Sequence, residues 1–346
     1  APGQSPETAR KKTFEILVSL VAAAAERSPL VLIVEDVHWV DASTLDLLGL
    51  LLDEIPALPM LLVATFRPEI QAPWSHRSDL TRLNLSRLTD GETAALIDRV
   101  LAGNVLTDDV RRQILALADG VPLFAEELTK AFLESAWTGE PEEIPATLAA
   151  SLAARLDRTG IGKEVAQTAA VLGRTFSFER LEAVFPLPAA DLRKGLDRLI
   201  EAGLIHRRRA QYSFKHALLQ DAAYNSLLSR DRQALHLAVA RSLEAEGAEP
   251  GVLAHHWLNA VDPASPDPDL AGQAVASLRA AAGAVQRLGA YRESRAHLEA
   301  ALRLVQGLPA GAGRDELELG VQLGLLRAVR ANDASAEIDP LLSRAR

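Results

Sequence analysis

The chain has 346 residues, 48% of them hydrophobic and 24% charged, which is enough apolar material for two or three globular domains. Its formal net charge of −9 argues against nucleic-acid binding by the surface as a whole, and the lack of cysteine excludes disulfides, thiolate metal sites and cysteine nucleophiles. The polar first residues do not suit a signal peptide, and the apolar stretches are too short to span a bilayer, so we expect a cytoplasmic protein.

The first strong pattern is the apolar run Leu30–Val34, which is followed directly by Glu35 and Asp36. A short run that is apolar throughout predicts a strand buried on both faces, as in a parallel α/β sheet. Carboxylates at the end of such a strand are oxygen ligands that suit Mg²⁺, and they can polarise a water. A strand followed by an acidic, helix-capping turn explains the same residues, and Asp41 is the predicted N-cap of the next helix.

A second predicted strand, Met60–Ala64, ends in Thr65-Phe66-Arg67. An arginine at the tip of a strand beside the first one can meet a γ-phosphate with its fixed fork of donors. A surface arginine at a strand–loop junction is the simpler alternative. Residues 83–85 form a third, short predicted strand.

The pattern becomes helical from Thr89, whose spacing to Glu92 is that of a capping box. Helices are predicted over 91–101, 108–118 and 124–135, with Gly120 ending one and Pro122 opening the next. A rigid proline at that point can pack against an adenine ring, although helix punctuation alone also accounts for it.

Residues 161–214 read as three short helices and a two-stranded wing, the order of a winged-helix domain. His216 follows the wing at the start of a helix, where it can donate to a diphosphate or serve as a capping or core histidine. The wing carries an arginine run at 207–209, which suits either phosphate contacts or a solvated hairpin. Beyond it the chain is helical, and the helices predicted at 270–288 and 292–306 resemble one tetratricopeptide unit.

The order and spacing of these motifs resemble the STAND class of P-loop ATPases, in the branch found in large bacterial signalling proteins. The resemblance covers nearly the whole chain. The motifs similar to those of that branch are Glu35-Asp36 with His38-Trp39 and Asp41 (Walker B and its signature), Thr65-Phe66-Arg67 (sensor 1), Gly120-Val121-Pro122 (the GxP motif) and His216 (the winged-helix histidine).

The resemblance implies a mixed, mainly α fold: a partial α/β P-loop NTPase sheet over 1–88, a helical lid over 89–137, a linker helix and winged helix over 138–228, and TPR-like helices over 229–346. It implies catalytic and Mg²⁺-binding roles for Glu35 and Asp36. It also implies nucleotide contacts for Arg67, Pro122 and His216, with ATP or ADP and Mg²⁺ as ligands and protein partners at the helical repeats.

The chain departs from this family in one respect, because no G-x-x-x-x-G-K-[ST] phosphate-binding loop occurs in it. We therefore expect a fragment that begins inside the nucleotide domain and does not hydrolyse ATP. Turnover by this chain that Glu35→Ala abolishes would contradict that expectation.

The function that the resemblance implies is a nucleotide-dependent regulatory switch in a multidomain signalling protein, acting on an attached adenylate or guanylate cyclase. The alternatives are an ATP-dependent transcriptional regulator of the LuxR type and a protein-interaction scaffold with a degenerate ATPase site. Direct DNA binding by this chain is not expected.

Overall fold

A computed structural model describes residues 5–67, 74, 76–138 and 147–331. The chain divides into two compact units, one formed by Ala1–Arg82 with Leu243–Arg346 and the other by Leu83–Ser242. No helix among the described residues is both long enough and apolar enough to cross a membrane. The described residues are mainly helical and form two small sheets, which confirms the predicted fold class.

The first unit begins with a strand–helix–strand arrangement. Its elements are helix α1 (Pro6–Arg27), strand β1 (Leu30–Val34), helix α2 (Ala42–Glu54) and strand β2 (Met60–Ala64). The strands pair in parallel, with Leu30 opposite Met60 and Val34 opposite Ala64, so α2 is the crossover that a parallel pair needs. A 3₁₀ turn at Val37–Trp39 joins β1 to α2. The predicted N-cap is confirmed, because the Asp41 carboxylate accepts from Thr44 N at 2.8 Å.

The two faces of this parallel sheet differ. Alternate side chains on one face are half-buried, whereas those on the other face are exposed: Val31, Ile33, Leu61 and Val63. The predicted strands are therefore present, but the predicted burial on both faces is wrong for this sheet. The physical reason is that the described residues cover only one face of it, while a parallel sheet in an α/β domain has both faces covered.

The second unit begins with three helices around a common apolar core. They are α3 (Asp90–Leu101), α4 (Asp108–Ala118) and α5 (Pro122–Thr138), and their buried side chains include Ile97, Ile114 and Leu128. The capping box is confirmed, since Thr89 Oγ1 accepts from Glu92 N and the Glu92 carboxylate accepts from Thr89 N.

The segment before α3 corrects one prediction. Residues 83–85 lie in no strand, and Leu83 and Leu85 are almost fully exposed, because this extended segment has no partner strand among the described residues. Its end is fixed by the glycine between α4 and α5. Leu88 N donates to Gly120 O at 2.8 Å, and Gly120 has φ +68°, a conformation that glycine adopts without strain.

The rest of the second unit packs helices against a three-stranded antiparallel sheet. Its elements are α6 (Leu148–Arg158), α7 (Ile161–Leu172), β3 (Thr175–Ser177), α8 (Phe178–Val184), α9 (Ala189–Glu201), β4 (Ile205–Arg208), β5 (Gln211–Phe214), α10 (Ala217–Asn225) and α11 (Ser229–Glu246), which runs into the first unit. The strand order is β3-β5-β4, so the predicted two-stranded wing has a third strand. We call residues 161–214 the β3–β5 module. Phe176, Leu196 and Phe214 are buried in its core.

The first unit is completed by four helices near the end of the chain. They are α12 (Pro250–Ala260), α13 (Pro268–Arg287), α14 (Tyr291–Gln306) and α15 (Ala312–Ala331). Each packs on the next through small and branched side chains, among them Ala254, Val275, Leu298 and Val321. Helical hairpins stacked in this way have the form expected of TPR-like repeats.

Candidate functional site

The two acids lie where the sequence predicts them, at the carboxyl end of β1. Asp36 has a left-handed backbone (φ 55°, ψ 46°), which redirects the chain immediately after the strand. Glu35 is exposed and Asp36 is half-buried. Two carboxylates therefore stand at one edge of a parallel sheet, the position at which α/β proteins commonly bind ligands.

Thr65, at the end of β2, holds the two strand ends together. Its hydroxyl accepts from Asp36 N at 3.0 Å, its carbonyl accepts from Val37 N at 2.9 Å, and its own N–H donates to Val34 O at 3.0 Å. Sequence reasoning quoted Thr65 only as part of a motif and assigned it no role. The sequence feature that could have indicated this role is a hydroxyl residue directly after the strand that neighbours the acids.

His38 and Trp39 occupy the turn that follows the acids. The His38 side chain is 7% exposed, and its Nε2 lies 4.0 Å from the Asp36 carboxylate. Within the described residues neither ring nitrogen has a hydrogen-bond partner, whereas Trp39 is largely exposed. The two rings contact each other, with their centroids 4.8 Å apart. A buried imidazole with both nitrogens unpaired beside a carboxylate is a polar feature that a ligand or water can complete.

Arg67 lies three residues beyond β2 and is exposed. Because β1 and β2 are parallel neighbours, the structure brings Arg67 to the same sheet edge as Glu35 and Asp36. No ion pair of Arg67 is found in the part of the chain that the structure describes.

The other two predicted site residues belong to the second unit. Pro122 is the exposed first residue of α5, as predicted. His216 is the N-cap of α10 and has no side-chain capping bond, and its buried Nε2 has no hydrogen-bond partner among the described residues. Burial lowers the pKa of His216, while the nearby carboxylates of Glu127 and Glu126 act in the opposite direction. The five predicted residues thus form two groups, one in each unit.

Only part of a nucleotide and metal site is supplied by these residues. No group of three or more His, Cys, Asp or Glu side chains able to hold a metal occurs among the described residues. Mg²⁺ needs one or two carboxylates together with phosphate oxygens and waters, so Glu35 and Asp36 fit a Mg²⁺–nucleotide better than a bare ion. The sequence contains no glycine-rich loop to hold the phosphates.

The helix that follows the acids is held by a contact that sequence reasoning missed. Glu293 on α14 accepts from Ser43 N at 2.7 Å and from Ser43 Oγ at 2.6 Å, at the first turn of α2. Asp46, one turn further along α2, accepts from Arg10 and from Arg292, each at 2.8 Å. A carboxylate at a helix N-terminus is favourable because it meets free N–H groups and the positive end of the helix dipole. The partners are about 250 residues apart in sequence, so no local pattern reveals them.

The arginine run at 207–209 is partly engaged within the β4–β5 hairpin. The Arg207 guanidinium lies over the Tyr212 ring at 5.5 Å, and its Nε donates to Arg209 O at 3.1 Å. These contacts fit the solvated-hairpin interpretation, in which the Arg207 side chain packs within its own hairpin.

Three comparisons with known proteins bear on this arrangement. Residues 1–63 match the family model AAA_16, described as an AAA ATPase domain. An uncharacterized protein of Rhizobium meliloti (strain 1021) is 31% identical over 275 residues, which cover 73% of this chain and 26% of that relative. The crystal structure of a STAND protein with a tetratricopeptide repeat sensor from Pyrococcus horikoshii is 12% identical and matches with a TM-score of 0.51, over 95% of this chain and 51% of that one.

The chain therefore spans about a quarter of the curated relative and about half of the solved structure. The structural match, at 12% identity, establishes a shared fold. The family match covers the residues that carry the first strand and the acid pair. The match over residues 1–63 and the shared fold both support the resemblance of this chain to the STAND-class P-loop ATPases.

Proposed function

We propose that this chain is the regulatory part of a nucleotide-dependent switch in a signal-transduction protein. In this proposal the helices α12–α15 receive a signal and act on the nucleotide domain. The observation that supports it is the contact of Glu293 with the first turn of α2. That contact joins the helical region directly to the element that follows the acid pair.

The position of α2 explains how such a contact can act. The helix begins at Ala42, only six residues after Asp36, and the intervening turn is tied to Thr65. A displacement of α14 that removes Glu293 takes one carboxylate acceptor away from the Ser43 N–H and hydroxyl at the helix start. Charge-assisted hydrogen bonds of this kind contribute roughly 1.5–3 kcal/mol each, which is comparable to a typical allosteric coupling energy of about 1–3 kcal/mol.

The nucleotide contacts in this proposal follow the positions of the predicted residues. Glu35 and Asp36 bind Mg²⁺ and orient a water, and Arg67 meets the γ-phosphate at the same sheet edge. The resemblance further assigns the adenine to Pro122 and the diphosphate of ADP to His216, whose Nε2 has no hydrogen-bond partner among the described residues. Mg²⁺, when bound with the nucleotide, neutralises phosphate charge.

The output that we propose is an adenylate or guanylate cyclase attached to the same protein. Its support is the resemblance of the motifs to the bacterial signalling branch. The aligned region also covers only 26% of the curated relative, which leaves room in that protein for further domains.

The test uses the protein that the gene encodes in full. The release rate of a fluorescent ADP analogue is measured for the full protein and for its Glu293→Gln variant. We expect the variant to release ADP roughly tenfold faster, the equivalent of about 1.4 kcal/mol. Glu299→Gln is the matched control, because Glu299 lies on the same helix and pairs with Arg295 within that helix.

Equal release rates for Glu293→Gln and Glu299→Gln would contradict the sensor role of the helices. A full-length protein with no phosphate-binding loop and no ADP binding would instead identify a scaffold built on a degenerate ATPase domain.

A further inference from the structure

We propose that Glu127 and Arg155 form a buried positioning pair that fixes His216 relative to the helix that begins at Pro122. This inference rests on the proposed function, because it concerns the two residues to which nucleotide contacts are assigned in the second unit. It gives a role to two charged side chains that the site does not otherwise use.

Both side chains are almost completely buried, with exposures of 2% for Glu127 and 4% for Arg155. The Glu127 carboxylate accepts from Arg155 Nη1 and also from Lys130 Nζ, at 3.3 Å for the latter. Lys130 is in turn paired with Glu126 on the same helix. The pair therefore joins α5 to α6 through a charge-assisted contact that is shielded from water.

The Arg155 guanidinium extends this contact to a third element. Its Nη2 donates to the carbonyl of Ala202 at 2.8 Å, just beyond the end of α9. The last carbonyls of a helix have no partner within it, so an arginine there satisfies an acceptor that the helix itself leaves free. One planar side chain thus fixes α5 and the end of α9 together, which a lysine, with a single nitrogen, does not reproduce.

The path from Ala202 to His216 is short in space. Two residues after Ala202, the carbonyl of Leu204 accepts from Lys215 N at 3.0 Å. Lys215 immediately precedes His216, the N-cap of α10. A single backbone hydrogen bond therefore transmits the position of Ala202 to His216, across the base of the β4–β5 hairpin.

The energetics favour orientation over stability as the purpose of this pair. Removing two charges from water costs about as much as their attraction returns, and well-packed apolar residues often stabilise a protein as well or better. Two carboxylates, Glu127 and Glu126, and two ammonium groups, Lys130 and Lys215, act electrostatically on His216. The pair therefore fixes both the place of the imidazole and part of the charge around it.

The test uses the whole 346-residue chain, which has no native cysteine to interfere with labelling. Spin labels are attached at Val105→Cys, at an exposed position between α3 and α4, and at Arg208→Cys, at an exposed position on β4. Double electron–electron resonance then gives the distribution of the distance between the helices α3–α5 and the β3–β5 module.

The decisive variant replaces the pair by apolar residues, Glu127→Leu with Arg155→Met. We expect its unfolding midpoint to stay level or rise, while the distance distribution becomes about twofold broader. The matched control is Asp98→Leu with Arg111→Met. This change replaces an ion pair that joins α3 to α4 and that includes no residue of the β3–β5 module. Its distribution keeps the original width.

An unchanged width in the apolar variant would overturn the proposal. Glu127→Gln provides a second reading if the double variant does not fold, since it keeps the shape and removes the charge. A width in Glu127→Gln equal to that of the unsubstituted chain overturns the proposal as well. Because the distances are measured without nucleotide, these outcomes are independent of whether the full-length protein binds ADP.

Discussion

The two sheets that the described residues form differ in how their apolar side chains are covered. In the parallel pair β1–β2, alternate branched residues such as Ile33 and Leu61 are about 60% exposed. In the β3–β5 module, Phe176 and Phe214 are buried in a core that the surrounding helices complete. Exposed apolar patches on a folded protein commonly mark surfaces that another element covers. The module therefore has a complete hydrophobic core, whereas the parallel sheet is covered on only one face by the described residues.

The largest expected effect comes from truncating the module core. Phe214→Ala removes a ring that is 1% exposed and is expected to cost about 3–5 kcal/mol of unfolding free energy. Ile33→Ala on the open face of the parallel sheet is expected to cost less than about 1 kcal/mol. Hydrogen exchange, which reports the opening free energy of each unit separately, measures both. If Ile33→Ala cost as much as Phe214→Ala, the sheet face would be covered and the comparison would fail.

A pH series tests whether the helices of the first unit bury their side chains, in contrast to the exposed face of its parallel sheet. His256 on α12 is buried, and burial, with the adjacent His255, lowers its pKa from 6.5 to about 4. The folded state thus binds fewer protons than the unfolded state between these values. The free energy of unfolding is therefore highest above pH 6.5, where His256 is neutral in both states. It falls as the pH drops towards 4, by on the order of 3 kcal/mol.

His256→Gln is expected to flatten this part of the stability curve, as measured by urea unfolding at pH 7 and pH 4.5. His206→Gln, at an exposed position on β4, is the control and leaves the curve unchanged. A curve for His256→Gln as steep as that of the unsubstituted chain would show that the helical part of the first unit is as open as its sheet.

The elements that sequence reasoning identified are those with local signals. The apolar runs of β1 and β2, the Asp41 cap and the Thr89–Glu92 capping box are all present where the residues predict them. The strand predicted at 83–85 is absent, because strand formation depends on a partner, and the apolar pattern alone does not supply one. For the same reason a run that is apolar throughout did not reveal that one face of its sheet is open.

The candidate site was predictable one residue at a time, but its connections were not. Glu35, Asp36 and Arg67 reach one sheet edge because parallel neighbouring strands end together. The contact of Glu293 with Ser43 and the pairing of Glu127 with Arg155 join segments far apart in sequence, so only the folded chain shows them. How the group of site residues in the first unit acts with Pro122 and His216 remains a prediction from the resemblance.

A smaller effect is expected where α1 meets the turn between α13 and α14. Gly289 has φ +76°, and a Cβ at this position would lie 2.8 Å from Pro6 O. Gly289→Ala therefore combines backbone strain with a clash and is expected to cost about 1–3 kcal/mol. Gly272→Ala, in the interior of α13 with nothing near its added methyl, is the control.

Thermal unfolding distinguishes the two glycine variants. Gly272→Ala is expected to stabilise the chain by about 0.5–1 kcal/mol, because alanine favours a helix interior. A Gly289→Ala protein as stable as Gly272→Ala would show that α1 does not pack closely on this turn, and that the first unit is open at more than its sheet.

The smallest effects concern helix caps, one in each unit. Thr89→Ala removes a capping box from α3 and is expected to cost about 1 kcal/mol. Asp41→Ala is expected to cost less, about 0.5 kcal/mol, because Glu293 provides a second acceptor at the start of α2. Hydrogen exchange of the first-turn amides measures both. A larger loss for Asp41→Ala would show that Glu293 does not support α2 in solution.

The close approach of α1 to Gly289 also has a consequence for the order in which the two units fold during synthesis. The residues that complete the first unit lie at opposite ends of the chain, and the continuous segment Leu83–Ser242 is inserted between them. A ribosome finishes that inserted segment before it has synthesised α13 and α14. We therefore expect the second unit to fold during translation. Until α13 and α14 are synthesised, α1, β1 and β2 lack these packing partners, and their apolar side chains are accessible to chaperones.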